Sequence, residues 1–199
     1  MNKKSVQIGI FVLFLAVAGA ALFYGFSDNS QNNRAEAQTV HILKYSDYSC
    51  PACKAYIPTQ NELKREFGDK VQIEYRYFPL SGFQFSRLAA HSVEAARKQG
   101  KFTEMHDMVF RYQEVWTGGN AQSHFMDFAK EIGLDMEQFE ADVQSEEVRN
   151  TVEQQREEGL RRQVNATPTF FINGQRLRQN PQSYEQMKSI VELYMYRES

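Results

Sequence analysis

The sequence predicts an α/β domain in which a central sheet is flanked by helices and interrupted by a helical insertion. Four short runs are rich in β-branched and aromatic residues, as strands are: 40–45, 71–78, 169–172 and 175–177. A run with helical periodicity, 54–67, separates the first two, which is the pattern of a right-handed strand-helix-strand unit. Residues 86–163 are helical in character, and Asn173-Gly174 between the last two strands predicts a hairpin.

The only two cysteines, Cys50 and Cys53, lie where the first strand gives way to the first helix. The first turn of a helix offers unpaired backbone N–H groups and the positive end of the helix dipole, so the pKa of Cys50 should fall below the free value of ~8.5. Pro51 suits this turn, because its missing N–H costs nothing there. The pattern predicts a redox pair in which Cys50 is the nucleophile and Cys53 the resolving thiol.

Three other interpretations of the cysteine pair stay open. A structural zinc site needs about four protein ligands, and the histidines offer no second ligand pair at a recognisable spacing: His41, His91, His106 and His124. A structural disulfide would close too short a loop to constrain the unfolded chain much. Two inert buried thiols would not fit the polar approach to Cys50. Redox chemistry is favoured, with no metal and no organic cofactor.

His106 lies between Glu104 and Asp107, which raises the question of a separate metal site. Neighbours on a helix point in different directions, so these three side chains would not converge on one ion. We expect His106 to lie on a solvated helical face.

A membrane anchor is predicted before the folded domain. Residues 8–26 contain no charged side chain and are long enough to cross a bilayer at ~1.5 Å rise per residue. Lys3 and Lys4 precede them, so the positive-inside rule leaves residues 1–7 in the cytoplasm and exports the rest. A cleaved signal peptide is the alternative, but its apolar core is usually ~7–15 residues long, so an uncleaved anchor is favoured.

Residues 27–38 are polar and without periodicity, which predicts a flexible tether, and 39–199 should form the folded domain. The formal net charge is −2, with acidic and basic residues interspersed. This balance lacks the basic footprint of a nucleic-acid-binding protein, so no nucleic-acid partner is expected.

A second motif, Ala166-Thr167-Pro168-Thr169, precedes the third strand, where a proline is typical of a fixed bend. An X-Pro bond can be cis at modest cost, although the sequence alone does not require it. Together with Cys-Pro-x-Cys, the run from Val164 to Gly174 resembles the DsbA-like thiol–disulfide oxidoreductases of the thioredoxin superfamily. The resemblance extends from Val40 to the last helix and includes further short matches: Ser46-Asp47-Tyr48, Met105-His106-Asp107, Trp116 and Gly159.

The resemblance implies a thioredoxin fold, which is a central mixed sheet flanked by helices, with a helical insertion at about 86–163. It implies that Cys50 is exposed, that Cys53 is more buried and that a cis Pro168 faces them. Thr167 would offer its backbone groups to an extended segment of substrate.

The activity that the resemblance implies is disulfide formation in reduced or misoxidised exported proteins, in the periplasm or on the outer face of the cytoplasmic membrane. A membrane redox partner would then reset the dithiol. The alternatives are a reductase or isomerase of the same fold, and a redox-inactive thioredoxin-fold module that binds or chaperones other proteins.

Two positions depart from the family pattern. Lys44 stands where the family usually has a buried acidic residue, and Ala52 stands where the strongest oxidants have histidine. Strand alternation puts Lys44 on the same side as Val40 and Ile42, and its family position implies that it lies beneath the dithiol. Three outcomes stay open: the amine loses its proton, it stays charged and pairs with the thiolate, or its stem carries the charge to solvent. The second outcome would stabilise the reduced enzyme and favour oxidation of substrates.

Overall fold

The computed structural model describes residues 37–197. The predicted cytoplasmic N-terminus (1–7), the predicted anchor (8–26) and most of the predicted tether (27–38) lie outside these residues. Within 37–197, none of the helices combines the length and the apolar character that a membrane span requires.

The described chain contains four strands: β1 Val40–Ser46, β2 Val71–Tyr77, β3 Thr169–Ile172 and β4 Gln175–Arg176. Two α-helices and a short 3-10 helix, Gly68–Lys70, join β1 to β2: the α-helices are α1 Pro51–Ala55 and α2 Ile57–Phe67. Six helices lie between β2 and β3: α3 Ser86–Lys98, α4 Phe102–Arg111, α5 Gln113–Thr117, α6 Ala121–Glu131, α7 Met136–Gln144 and α8 Glu146–Arg161. A last helix follows β4: α9 Tyr184–Met195.

The four strands form one mixed sheet in the order β2-β1-β3-β4. The β1 and β2 strands run parallel, β3 is antiparallel to β1, and β4 is antiparallel to β3. Lys44, in the middle of the sheet, is paired with Tyr75 on one side and Phe170 on the other. The predicted α/β class, the mixed sheet and its flanking helices are therefore confirmed.

The sequence predicted one helix over 54–67, but the structure breaks it at Tyr56. Pro58 stands in the first turn of α2, where its lack of an N–H removes the bond that would have continued α1. The break leaves α1 as a short helix that carries both cysteines.

Helices cover both faces of the sheet. On one face, side chains of α2 and α9 pack against the strands in a single cluster: Val40, Ile42, Leu63, Phe170, Ile172, Met187 and Val191. On the other face, Tyr45 and Phe171 pack with Phe78 and Val164. The helices between β2 and β3 form the largest cluster, and this cluster also contains Cys50 and Cys53. The insertion is thus part of the core that supports the dithiol.

The hairpin and the last helix follow the sequence signals. Asn173 and Gly174 both have positive φ, as a tight hairpin turn requires, and Asn173 exchanges hydrogen bonds with the backbone of His41. Ser183 caps α9 by accepting from the Gln186 N–H. The backbone N–H of Gln38 donates to the Met195 carbonyl at 2.9 Å, so the chain contacts the domain one residue before the predicted start at 39.

Candidate active site

The two thiols lie at the N-terminal end of α1. Cys50 is the residue just before the helix, and its carbonyl accepts hydrogen bonds from the backbone N–H groups of Cys53 (3.0 Å) and Lys54 (3.3 Å). Pro51 occupies the first helical position, as predicted, and both Pro51 and Ala52 are exposed. Both sulfurs are free thiols in this structure.

The expectation that Cys50 is exposed is wrong. Only 6% of Cys50 is accessible, compared with 0% of Cys53. The reason is that the Cys50 Sγ lies under the backbone of Thr167, 3.4 Å from its carbonyl oxygen, to which the protonated thiol donates. The expected difference between the two cysteines nevertheless holds, because Cys53 is the more deeply buried.

The two thiols have opposite acidities. The hydrogen bond from Cys53 lowers the pKa of Cys50 to about 6, against the effect of burial, and the backbone N–H groups of Ala52 and Cys53 act in the same direction. Burial raises the pKa of Cys53 well above the usual value, and its hydrogen bond to Cys50 raises it further. At neutral pH, one sulfur is therefore a thiolate and the other a thiol.

The Thr167-Pro168 peptide bond is cis, as the family resemblance implied. Two side chains hold this loop: Thr169 donates to the Ala166 carbonyl (2.8 Å), and Asn180 donates to the Pro168 carbonyl (2.7 Å). Among the described residues, the buried hydroxyl of Thr167 has no hydrogen-bond partner. The loop thus places the backbone of Thr167 directly over Cys50.

Lys44 lies beneath the dithiol and is completely buried, so the alternative in which its stem reaches solvent is wrong. Its Nζ donates to the Cys53 carbonyl at 3.1 Å and to Gln60 Oε1 at 3.2 Å. Burial lowers the pKa of Lys44 to about 8, while negative charge on Cys53 and on Cys50 opposes the shift. The neighbouring strands β2 and β3, on either side of β1, close the route from Lys44 to the sheet edge.

Two residues to which the sequence analysis assigned no role hold the loop before Cys50. Gln113, buried at the start of α5, donates through Nε2 to the carbonyls of Tyr48 (2.6 Å) and Cys50 (3.1 Å). The Asp47 carboxylate is also buried, and it accepts from Ser86 Oγ and from the backbone N–H groups of Ser49 and Leu80: 2.7 to 2.8 Å.

His106 is 3% exposed, which contradicts the solvated face expected for it. Its Nδ1 is hydrogen-bonded to the Tyr48 hydroxyl at 2.8 Å, and its ring is enclosed by aromatic side chains: Tyr48, Tyr75, Phe102 and Phe110. Burial lowers the pKa of His106 well below the usual value, so it is neutral. His106 is therefore buried in the core, whereas Glu104 is exposed and Asp107 is partly buried.

With this geometry in hand, comparison with known proteins identifies the family. Residues 35–193 match the family model described as "Thioredoxin". The chain belongs to the thioredoxin family.

Several solved structures share this fold. A thioredoxin-like oxidoreductase from Silicibacter pomeroyi DSS-3 has 25% sequence identity and a TM-score of 0.67, over 81% of this chain and 89% of that one. Oxidised BdbD from Bacillus subtilis has 20% identity and a TM-score of 0.70, over 82% and 99%. Alpha-DsbA1 from Wolbachia pipientis has 16% identity and a TM-score of 0.68, over 80% and 86%. The chain therefore has the same fold as these proteins.

Curated relatives are much longer than the match. The Na(+)/H(+) antiporter NhaA 1 of Mycobacterium sp. (strain KMS) is 36% identical over 140 residues, which cover 68% of this chain and 22% of the antiporter. The antiporter NhaA of Herminiimonas arsenicoxydans is 34% identical over 137 residues, which cover 69% of this chain and 21% of the antiporter. The chain thus spans about a fifth of the length of these relatives.

Proposed function

We propose that this chain is an extracytoplasmic, membrane-anchored protein disulfide oxidoreductase that forms disulfides in exported proteins. The observation that carries the proposal is the pair of unlike thiols at the start of α1, with the more acidic one, Cys50, next to the Thr167 backbone. A low thiol pKa stabilises the reduced enzyme and so makes its disulfide a better oxidant. The fold shared with DsbA proteins supports the same activity.

In the proposed reaction, a substrate thiolate attacks Cys50 Sγ of the oxidised enzyme. The Cys50–Cys53 bond breaks and its electron pair leaves on Cys53. A second thiolate of the substrate then attacks the substrate sulfur of the mixed disulfide. This step releases the oxidised substrate and leaves Cys50 as a thiolate. The substrate has lost two electrons and the enzyme has gained them, so a membrane redox partner must reoxidise the dithiol.

Thr167 and Pro168 would serve substrate binding in this reaction. An extended peptide that pairs with the Thr167 backbone would bring its own sulfur to Cys50 by strand addition. Pro51 and Ala52 lie on the exposed side of α1, where they face the approaching substrate rather than the core.

Oxidative refolding of a reduced client protein tests the function. The oxidised enzyme should accelerate disulfide formation, and a Cys50→Ser/Cys53→Ser variant should not. Activity in insulin reduction alone would assign the opposite redox direction. A protein that is inactive in both assays would be a binding module, and the proposal would be wrong.

The proposed location depends on residues 8–26, which lie outside the described part of the chain. We expect the mature protein to fractionate with membranes and to keep its original N-terminus. A soluble form that begins near Gln38 would instead identify residues 8–26 as a cleaved signal peptide.

A further inference from the structure

Gln113 is the first residue of α5, in the helical insertion, and the exchange reaction described above gives it no role. It is buried, with 3% of its surface exposed. Its Nε2 donates to the carbonyl oxygen of Tyr48 at 2.6 Å and to that of Cys50 at 3.1 Å. These contacts connect the insertion to the backbone of the nucleophilic cysteine.

The carbonyl oxygen of Cys50 has three hydrogen-bond donors. The backbone N–H of Cys53 lies at 3.0 Å, that of Lys54 at 3.3 Å and the Gln113 amide at 3.1 Å. A carbonyl oxygen has two lone pairs, so three donors share two acceptor sites. The Gln113 amide therefore competes with the two backbone N–H groups for the Cys50 carbonyl.

This competition matters because the Cys53 N–H has a second acceptor. Together with the Ala52 N–H, it stabilises the negative charge of the Cys50 sulfur and so lowers the pKa of that thiol. An N–H that is shared between two acceptors bonds to each of them less strongly than to one alone. When Gln113 occupies the Cys50 carbonyl, the Cys53 N–H is freer to bond to the sulfur.

We propose that Gln113 is a positioning residue of the exchange reaction, which occupies the Cys50 carbonyl and thereby directs the Cys53 N–H to the Cys50 sulfur. The proposal deepens the proposed oxidoreductase function and rests on it. In the release step, the S–S bond of the mixed disulfide breaks and its electron pair stays on Cys50. A sulfur that is better stabilised as a thiolate is a better leaving group, so Gln113 promotes release of the oxidised substrate.

The charged groups around Cys50 are bonded to partners other than Gln113. The Asp47 carboxylate accepts from Ser86 and from two backbone N–H groups, and Lys44 Nζ donates to the Cys53 carbonyl. Lys54 pairs with Glu114, the residue after Gln113. Replacing the Gln113 amide by an uncharged group therefore leaves each of these charges with its partner.

The first test titrates the Cys50 thiolate of the reduced protein by its ultraviolet absorbance, below the pH at which Cys53 ionises. Gln113→Met keeps an unbranched side chain of similar length and removes the donor. The pKa of Cys50 should rise from about 6 by at least about half a unit, which is about a threefold smaller ratio of thiolate to thiol. Val191→Ala is the control for lost stability, because Val191 is buried in a cluster that contains neither cysteine. It should leave the pKa of Cys50 unchanged.

The second test measures the redox equilibrium with glutathione. Gln113→Met destabilises the Cys50 thiolate of the reduced enzyme, so the equilibrium should move about twofold to threefold towards the oxidised enzyme. Glu114→Gln removes the exposed partner of Lys54 and keeps the Gln113 amide. Its disulfide should be no less oxidising than that of the unaltered protein.

The third test uses the unaltered side chain, so it applies even where Gln113→Met does not fold. The side-chain amide protons of Gln113 are followed by NMR while Cys50 is titrated. They should move downfield as the thiolate forms, because the Cys53 N–H then turns to the sulfur and leaves the carbonyl to Gln113. The amide of Gln99, which donates to the distant Asp135 carbonyl, is the control and should not move.

Three results would each overturn the proposal: an unchanged pKa of Cys50 in Gln113→Met, a rise in that pKa that Val191→Ala reproduces, or Gln113 amide protons that stay in place as Cys50 titrates. None of these measurements requires turnover. A protein that fails in oxidative refolding yet shows the expected displacements would refute the proposed function and not the effect of Gln113 on Cys50.

Discussion

Single side chains from the insertion hold the loop that leads to Cys50. Gln113 is the main example, since one amide group serves the carbonyls of both Tyr48 and Cys50. Buried carbonyls that lose their donor pay the full cost of desolvation. The position of Cys50 therefore depends on a residue that does not react.

Replacing Gln113 with leucine should destabilise the protein by about 1–3 kcal/mol, because it leaves two buried carbonyls without this donor. Urea unfolding of the purified domain measures the change. Gln154→Leu, at an exposed position on α8, is the matched control and should change the free energy of unfolding by less than about 0.5 kcal/mol. Equal losses in the two variants would show that the Gln113 amide is not specifically required.

The reactive residues could be predicted from the sequence, but the buried residues that hold them in position could not. Cys50, Pro51, Cys53, Thr167 and Pro168 stand in short motifs whose chemistry is local. Gln113 is more than 60 residues away in sequence from the two carbonyls that it contacts, and nothing in its own helix distinguishes it from an exposed glutamine. The burial of Lys44 was suggested by alternation, but its contact with Cys53 required the three-dimensional structure.

His106 shows a second limit of sequence analysis. Its charged neighbours suggested a solvated helix surface, yet the amphipathic helix α4 turns His106 inward and Glu104 outward. The decisive fact is the hydrogen bond to Tyr48, which comes from a distant loop. Charge in the local sequence does not report such a partner.

At the scale of elements, the insertion meets the sheet through a glycine. A Cβ on Gly159 of α8 would lie 2.7 Å from Phe78 Cδ2 and 3.0 Å from Tyr45 Cδ1. These rings are buried and pack edge to face, with centroids 6.1 Å apart. The helix can approach the sheet this closely only without a side chain at this position.

Gly159→Ala should destabilise the protein even though alanine is the better helix former by about 1 kcal/mol. The added methyl group forces packed rings apart, which typically costs about 1–3 kcal/mol. Thermal or urea unfolding measures whether the substitution lowers or raises the free energy of unfolding. Gly82→Ala is the control, because a Cβ at Gly82 meets no atom within 4 Å. A Gly159→Ala protein more stable than the wild type would contradict the close packing described here.

The elements themselves were largely predictable. All four strands, the Asn-Gly hairpin and the last helix follow from periodicity and turn residues. The break between α1 and α2 was missed, although Pro58 was the available signal. A proline in the first turn is compatible both with a continuing helix that bends and with a new start, and only the local backbone at Tyr56 decides between them.

At the scale of the whole molecule, the acidity of Cys50 couples redox state to stability. The pKa of the folded thiol is about 6, below that of an unfolded cysteine. A lowered folded pKa contributes stability that is fully present above the unfolded pKa and is lost as the pH falls through the folded value. The oxidised protein lacks this contribution, because its sulfur has no proton to lose.

The stability of the reduced protein, relative to the oxidised protein, should therefore rise between about pH 6 and pH 8.5. The slope is limited to about 1.4 kcal/mol per pH unit, the value for one proton. Urea unfolding of both forms across this range measures it, and Cys50→Ser supplies the control without the titrating thiol. A difference that is flat or that falls with pH would show that Cys50 has an ordinary pKa.

The central claim is that Cys50 forms the mixed disulfide with the substrate and that Cys53 resolves it. Trapping of the mixed disulfide tests it most directly: each single variant is incubated with a disulfide-containing client protein, and covalent adducts are separated on a non-reducing gel. We predict that Cys53→Ser accumulates adducts joined through Cys50, and that Cys50→Ser forms none. Adducts on Cys50→Ser, together with none on Cys53→Ser, would contradict the assignment of the two sulfurs.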